Sequence, residues 1–458
     1  MNTYSKLAAA ATLVLSVAGC HGDFLSGGEL STDPNRPTSA TAGQLFVGVQ
    51  SNIYYTYSGD LVRIGELFPQ QIRGISQQYF TYYQYTIDEN TSNGAERQLY
   101  GPGGLADVRR LQQIAADQHD SLMLGIAQVQ EAMLMGFAAD VYGNIVYTQA
   151  LTGVSNPTLD SQHAVFDSLQ ALLSRAITNM AASGSTNAGP GGNDITYGGD
   201  PTKWTELAHS LKARFYMHVA EVDGVPAYQN AAAEAALGIQ SPTDDYVAVY
   251  SGSQAGEGNP WYQFVLGQAG RSGYFGPGAV LDSMLKVRND PRRTDYFHID
   301  PTADTADALS DTRLSPTYSQ PIVTAAETHL IRAEASYRAG DPVTALLELN
   351  AERAIAGLPS VALAGNALLV DILSEEYIND FQLGVEAWKL YRRTCFPNLA
   401  STSPNSQAMP GRLYHDQEER QTNTNIPAPG TDPNGLRNEV DPQNATSDGL
   451  GGACLAGA

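Results

Sequence analysis

Two short runs in this 458-residue chain set flat aromatic rings beside hydrogen-bonding groups. The first is Tyr79-Phe80-Thr81-Tyr82-Tyr83-Gln84-Tyr85, followed by Asp88, Glu89 and Asn90. The second is Asn259-Pro260-Trp261-Tyr262-Gln263-Phe264, continuing to Arg271, Tyr274 and Phe275. Such a mixture suits a sugar. The ring's C–H patches pack on an aromatic face, and its hydroxyls need polar partners that are not left unpaired. Tyr82, Tyr83, Tyr85, Asn90, Trp261, Tyr262, Arg271 and Tyr274 are therefore the candidate ligand contacts. A plainer reading stands beside this one. Tyr79, Thr81, Tyr83 and Tyr85 alternate with Phe80, Tyr82 and Gln84, as in a half-buried strand. Trp261, in a loop flanked by Gly and Pro, is harder to place in a core. Tyr54, Tyr55 and Tyr57 are expected to pack beneath the first run, with an interface role as the alternative.

Covalent chemistry leaves fewer traces. The chain contains no Gly-x-Ser-x-Gly elbow, no His-Glu-x-x-His zinc pair, no Gly-x-x-x-x-Gly-Lys phosphate loop and no Gly-x-Gly-x-x-Gly. With 48 acidic residues, counting alone leaves a glycosidase pair of carboxylates open. The 8 histidines are scattered, and His209 and His218 do not share a close helix face. Asp300, Asp304, Asp307 and Asp311 lack the spacing of a calcium loop and read as a solvated segment. No metal site and no cofactor is expected.

Cysteine chemistry is more telling. The chain starts MNTYSKLAAAATLVLSVAGC, with Lys6 before an apolar run from Leu7 to Val17. That run falls short of the ~20 residues a membrane span needs, so it reads as a signal peptide over residues 1–19. Val17-Ala18-Gly19-Cys20 resembles the lipobox, which is cleaved before a cysteine that has been lipidated. An ordinary secretory signal with a chance cysteine is the alternative. No later stretch reads as apolar enough to span a membrane. Cys395 and Cys454 remain. In an exported protein they are expected to form a disulfide, with two buried free thiols as the alternative. A net charge of -22 should repel nucleic acid and anionic lipid, and favours a neutral or cationic ligand. Tyr outnumbers Phe, 24 to 12, which suits half-exposed contact surfaces.

The elements that must position these groups read as mainly α. Residues 20–45 look like a lipidated tether, and 46–458 like one domain. Helical pattern starts at Gln44 and runs through Asn52 to Tyr57. From Asp120 to Val141, Leu122, Ile126, Val129, Met133, Phe137 and Val141 repeat at helical spacing behind a capping Asp120. Val165 to Met180 is another helix, followed by a glycine-rich loop over 183–199. Gly199-Asp200-Pro201 and Gly340-Asp341-Pro342 are helix starts. Thr324 to Leu358 reads as a helical hairpin with small residues on facing sides, the logic of a tetratricopeptide unit. One long helix is expected from Leu368 to Arg393. Residues 241–321 form a loop-rich insertion, and 397–458 an irregular tail.

Six segments in order resemble the SusD/RagB-like nutrient-binding outer-membrane lipoproteins. After the lipobox come Asp23-Phe24-Leu25 and Asp33-Pro34-Asn35-Arg36-Pro37-Thr38, similar to the family's opening. Asp140 to Tyr147 resembles the family's next segment, departing from it at Val146. Trp204 to Arg214, Glu327 to Asn350, and Glu376 to Arg393 resemble its helices. Arg412-Leu413-Tyr414 with Glu418 and Asn423 resembles its close. The resemblance implies a single domain of tetratricopeptide-like pairs with a loop-rich ligand face. It also implies a SusC-like TonB-dependent barrel as partner, oligosaccharide or peptide as cargo, an outer-membrane lipid anchor facing the exterior, and no catalysis. Under it, Trp204, Arg214, Glu334 and Asn350 lock helix packing, and Asp140 and Tyr142 orient the turn after their helix. The rivals are an extracytoplasmic glycoside hydrolase and a scaffold that binds only protein.

Overall fold

Aspartate–proline steps start two of the helices. Asp200 Oδ1 accepts from the Thr202 and Lys203 N–H groups at 2.8 and 3.4 Å, and Asp341 Oδ1 accepts from Thr344 N–H at 3.0 Å. In both cases the capping oxygen pairs an orphan donor, and the following proline has none to lose. Asp120 caps its helix in the same way, through Met123 N–H at 3.0 Å.

The computed structural model describes residues 40–92, 94–182, 188–254, 256–268, 270–399, 409–432 and 435–441. Cys20, Cys454 and nearly all of the expected tether lie outside them. The first half holds α1 (Ala42–Thr56), α2 (Asp60–Leu67), β1 (Ile72–Gly74), α3 (Gln77–Tyr83), α4 (Ala95–Tyr100), α5 (Leu105–Asp117), α6 (Ser121–Tyr142), α7 (Gln162–Ala181), α8 (Pro201–Asp223) and α9 (Val225–Ala235). Then come β2 (Tyr246–Ala248), α10 (Pro260–Val265), β3 (Phe275–Pro277), α11 (Ala279–Val287), α12 (Arg292–Tyr296), β4 (Phe297–Asp300), β5 (Thr305–Leu309) and β6 (Gln320–Val323). The helices resume with α13 (Ala325–Arg338), α14 (Pro342–Ile355), α15 (Asn366–Asn379), α16 (Glu386–Thr394) and α17 (Gln417–Thr422).

Sequential helices pair: α6 with α7, α8 with α9, α13 with α14. Alanine makes these pairs tight. Ala213, Ala220, Ala227, Ala231 and Ala235 join Met217, Tyr228, Ile331 and Ala335 in one core between α8, α9 and α13. The other side of α13 uses Leu330 and Ala333 against Ala345, Leu349, Leu368 and Ile372. Helix α6 is the axis. Its 22 residues and hydropathy would suffice for a membrane span, which the sequence reading did not anticipate, but the protein itself buries 94% of the window. At Gly136 a Cβ would come within 2.3 Å of the Phe215 ring, so glycine sets how closely α8 approaches.

Three expectations change. The 79–85 segment is not a strand. Residues Gln77–Tyr83 are helical and lie on β1, where a Cβ at Gly74 would sit 2.0 Å from the Tyr79 carbonyl oxygen. The long helix from Leu368 to Arg393 is two helices. Gln382 and Gly384 adopt φ 61° and 62°, and Gln382 N–H donates to Glu66 Oε1 at 2.8 Å. A long-range hydrogen bond to α2 thus holds the break open. Finally, the loop-rich insertion is anchored by antiparallel ribbons. β1 pairs with β3 (Arg73 opposite Gly276), β2 with β6, and β4 with β5. At the end of α16, Cys395 is disulfide-bonded.

Candidate ligand cleft

The β1–β3 ribbon brings the two aromatic runs together. Gly74 lies opposite Phe275, and Ile75 N–H donates to the Tyr274 carbonyl at 2.9 Å. Tyr79 becomes the hub. Its ring centroid lies 4.5 Å from Phe275, 5.2 Å from Phe264, 5.9 Å from Tyr82 and 6.3 Å from Tyr274. Trp261 extends the cluster through Phe275, at 6.1 Å. Two guanidinium groups lie against Phe264, Arg63 at 4.4 Å and Arg271 at 4.6 Å from the ring centroid, within the range of cation–π attraction.

A cavity of about 320 Å³ opens over this cluster. Its walls include Tyr55, Asp60, Arg63, Gln78, Tyr79, Gln98, Phe264 and Arg271. A second cavity, of about 410 Å³, lies between the 252–258 loop, Tyr262, Gly267 and Pro316. Gln263 and Gln268 belong to both walls, so the two adjoin as one cleft. Asn259 fixes the junction. Its Oδ1 accepts from Trp261 N–H at 2.8 Å, its Nδ2 donates to the Tyr318 carbonyl at 3.0 Å, and its own N–H donates to the Pro316 carbonyl at 2.8 Å. Gln263 Nε2 donates to the Gly256 carbonyl at 3.0 Å, which steadies the glycine-rich rim.

The charges converge at one end. Tyr79 Oη donates to Asp60 Oδ1 at 2.5 Å, and Arg63 Nη2 donates to the same oxygen at 3.2 Å. Burial raises the Tyr79 phenol well above its ordinary pKa, so it stays a donor. Arg63 is 5% exposed, and its Nε and Nη1 have no hydrogen-bond partner. Burial opposes its charge, but Asp60 and Tyr79 outweigh that and keep it protonated. The second cavity has no charged wall residue among those described.

The cleft contains some of the expected contacts and not others. Tyr262 and Arg271 stand in its walls. Tyr82 and Tyr274 are half-buried against Tyr79, behind the wall. Trp261 is fully buried and offers no face to a ligand, because Asn259 and Pro260 start a helical turn that rolls the indole inward. Tyr85 is core as well. Its hydroxyl donates to the Phe68 carbonyl at 3.0 Å and accepts from Gln70 Nε2 at 2.9 Å. Tyr83 is half-buried outside the walls, and Asn90 sits exposed in a turn where its N–H donates to Asp88 Oδ1 at 2.9 Å. The early tyrosines disperse. Tyr54 packs on Tyr246 and Tyr250, Tyr57 on Phe137, and only Tyr55, 43% exposed, reaches the cleft. Arg63 was missed, although an Asp60–Arg63 pair, in a helix whose only other charged residue is Glu66, was its signal.

The other ionic groups hold helices. Arg214 donates from Nε and Nη2 to Glu327 at 2.5 and 2.6 Å, and Glu334 accepts from Arg338 Nε and Arg393 Nη1 at 2.5 and 2.8 Å. Trp204 Nε1 donates to Asp194 Oδ2 at 2.8 Å, and Asn350 exchanges bonds of 3.0 and 2.7 Å with the Val361 backbone. Among the described residues, Asp140, His218 and Glu386 bring possible metal-ligand atoms within 4.8 Å of one another. The imidazole has one carboxylate at each nitrogen, Asp140 at 3.0 Å and Glu386 at 2.9 Å. Burial disfavours its charge, yet the two carboxylates outweigh that and raise its pKa. The ring is thus held between two carboxyl groups. Two of the exposed acids of 300–311 also have charged partners: Asp304 meets Arg293 and Lys286, and Asp307 meets His298.

Helical pairs that hold a loop-built, aromatic and amide-lined cleft define a binding-protein architecture. The chain belongs to the SusD-like family, whose model, described as "Starch-binding associating with outer membrane", matches residues 34–415. Solved structures share the fold. A chitin-binding SusD homolog from Flavobacterium johnsoniae superposes with a TM-score of 0.69 at 18% identity, covering 87% of this chain and 98% of its own. A protein described as chitin-binding gives 0.68 at 20% identity, covering 84% and 95%. A SusD/RagB family protein from Bacteroides thetaiotaomicron gives 0.65 at 20%, covering 85% and 95%. Comparison with curated proteins gave no match.

Proposed function

We propose that this protein is a non-catalytic surface lipoprotein, anchored through Cys20, that captures an oligosaccharide and hands it to a SusC-like TonB-dependent barrel in the outer membrane. The observation that carries this reading is the family match over residues 34–415. The cleft supports it. Tyr55, Tyr262 and Phe264 supply aromatic surface, and Gln78, Gln98, Gln263 and Gln268 supply amides that can both donate to and accept from hydroxyls. Two solved proteins of the same fold carry chitin-binding descriptions, which favours sugar over peptide.

A glycan array with the mature protein tests the reading, with Tyr262→Ala and Phe264→Ala alongside. Binding that is lost in both variants, together with co-purification with a barrel, is expected. Absence of any glycan binding, or binding by both variants equal to that of the wild type, overturns it.

A further inference from the structure

The net charge of -22 speaks for a neutral or cationic ligand, but the charged side chains in the walls of the first cavity have the opposite balance. Charges beyond about 10 Å are largely screened at ordinary salt, so the walls matter more than the total. Those of the first cavity carry two guanidiniums, Arg63 and Arg271, against one carboxylate, Asp60.

Both arginines have donors to spare. Elsewhere Arg292 meets Asp290, Glu352 and Glu375, and Arg353 meets Asp371 and Glu375. Arg392 also leaves Nε and Nη2 without a hydrogen-bond partner, but it lines none of the described cavities. Arg271 forms no ion pair with any described residue. Arg63 spends Nη2 on Asp60 and leaves Nε and Nη1 without a partner, although it is 95% buried and lines the cavity. Nε and Nη1 are buried over the Phe264 ring, so Arg63 contributes its incompletely neutralised charge, and the more accessible Arg271 offers its fork to an acceptor from outside. The guanidinium fork matches a carboxylate in particular.

We infer that the cleft selects an oligosaccharide bearing a carboxylate, with a uronic acid residue held between Arg63 and Arg271 beside Phe264, and neutral residues lying along the uncharged second cavity. The inference rests on the glycan-capture reading above and narrows it. The cavity's single acid, Asp60, then has a defined part: it keeps Arg63 in place without neutralising the pair.

Titration calorimetry of the mature protein with uronic acid oligomers, neutral oligomers of starch and chitin type, a sulfated neutral oligomer and an acidic peptide tests this. Uronate oligomers should bind best, and more weakly as salt is raised. Arg271→Gln should weaken uronate binding by about ten- to a hundredfold, the usual worth of a charged hydrogen bond, and weaken the binding of neutral oligomers distinctly less. Arg271→Lys should restore part of the loss. Arg63→Gln, checked for folding by its thermal melt, should behave like Arg271→Gln. Neutral oligomers binding as well as uronates, or Arg271→Gln leaving uronate affinity unchanged, overturns the inference and leaves glycan capture standing. Preference for the sulfated oligomer overturns the carboxylate assignment. Preference for the acidic peptide, or no binding of any saccharide, overturns both the inference and the reading beneath it.

Discussion

Replacing Trp261 separates a ligand platform from a core residue. The indole is fully buried, its ring centroid is 6.1 Å from Phe275, and the Arg63 guanidinium lies 6.0 Å from it. Removing a side chain of this size from a packed site costs about 3–5 kcal/mol. Trp261→Phe is the more discriminating change. A ring still fills most of the space, and the indole N–H has no hydrogen-bond partner, so its removal strands no acceptor. The cost then reduces to lost packing, about 1–2 kcal/mol. Urea unfolding followed by circular dichroism measures the stability term, and saccharide titration well below the unfolding midpoint measures binding. Trp261→Phe should shift the midpoint downward and leave affinity nearly unchanged. An unchanged midpoint with lost affinity would refute the reasoning, because only an indole facing the ligand gives that result.

Glu334→Ala leaves Arg338 and Arg393 facing each other without their shared carboxylate, and a loss of about 3–5 kcal/mol is expected in the same unfolding assay. Asp245 is pushed up to about 7, chiefly by burial. The folded state therefore holds a proton that the unfolded state releases near pH 4, and stability falls as pH rises between those values. Asp245→Asn keeps an acceptor for Ala325 N–H, 2.7 Å away, and should be more stable than wild type at pH 8 but not at pH 4. His218 has the raised pKa of an ion-paired imidazole, so its contribution is complete below about pH 6.5 and is lost as pH climbs through its folded value. The gap in melting temperature between wild type and His218→Gln should accordingly shrink from pH 6 to pH 9.

What the sequence displayed was local. Asp120, Asp200 and Asp341 announce helix starts because a cap and its donors lie within a turn of one another. The hairpin of α13 and α14 shows in the same way, through small residues at helical spacing and a three-residue turn. The break before α16 was invisible because Glu66, far away in the chain, is what pairs Gln382 N–H. The ribbons were hidden as well, since strands of three to five residues leave little alternation to see. The cleft was half legible. Tyr262 and Arg271 stood out as polar and aromatic groups among glycines. Arg63 and Tyr55 meet them only through the β1–β3 pairing, which no local pattern encodes. Trp261 misled because glycine and proline around it signal a loop, whereas Asn259 turns that proline into the first residue of a helical turn.

The cleft draws its walls from α1 to α4, α10 and the loops around it, and none from helices α5 to α9 or α13 to α16. Frame and mouth are thus specified by different stretches of the chain. Mutations over 252–271 can drift or be exchanged between relatives while the alanine seams and buried arginines stay as they are. A lineage built on this plan can change its diet without having to learn to fold again.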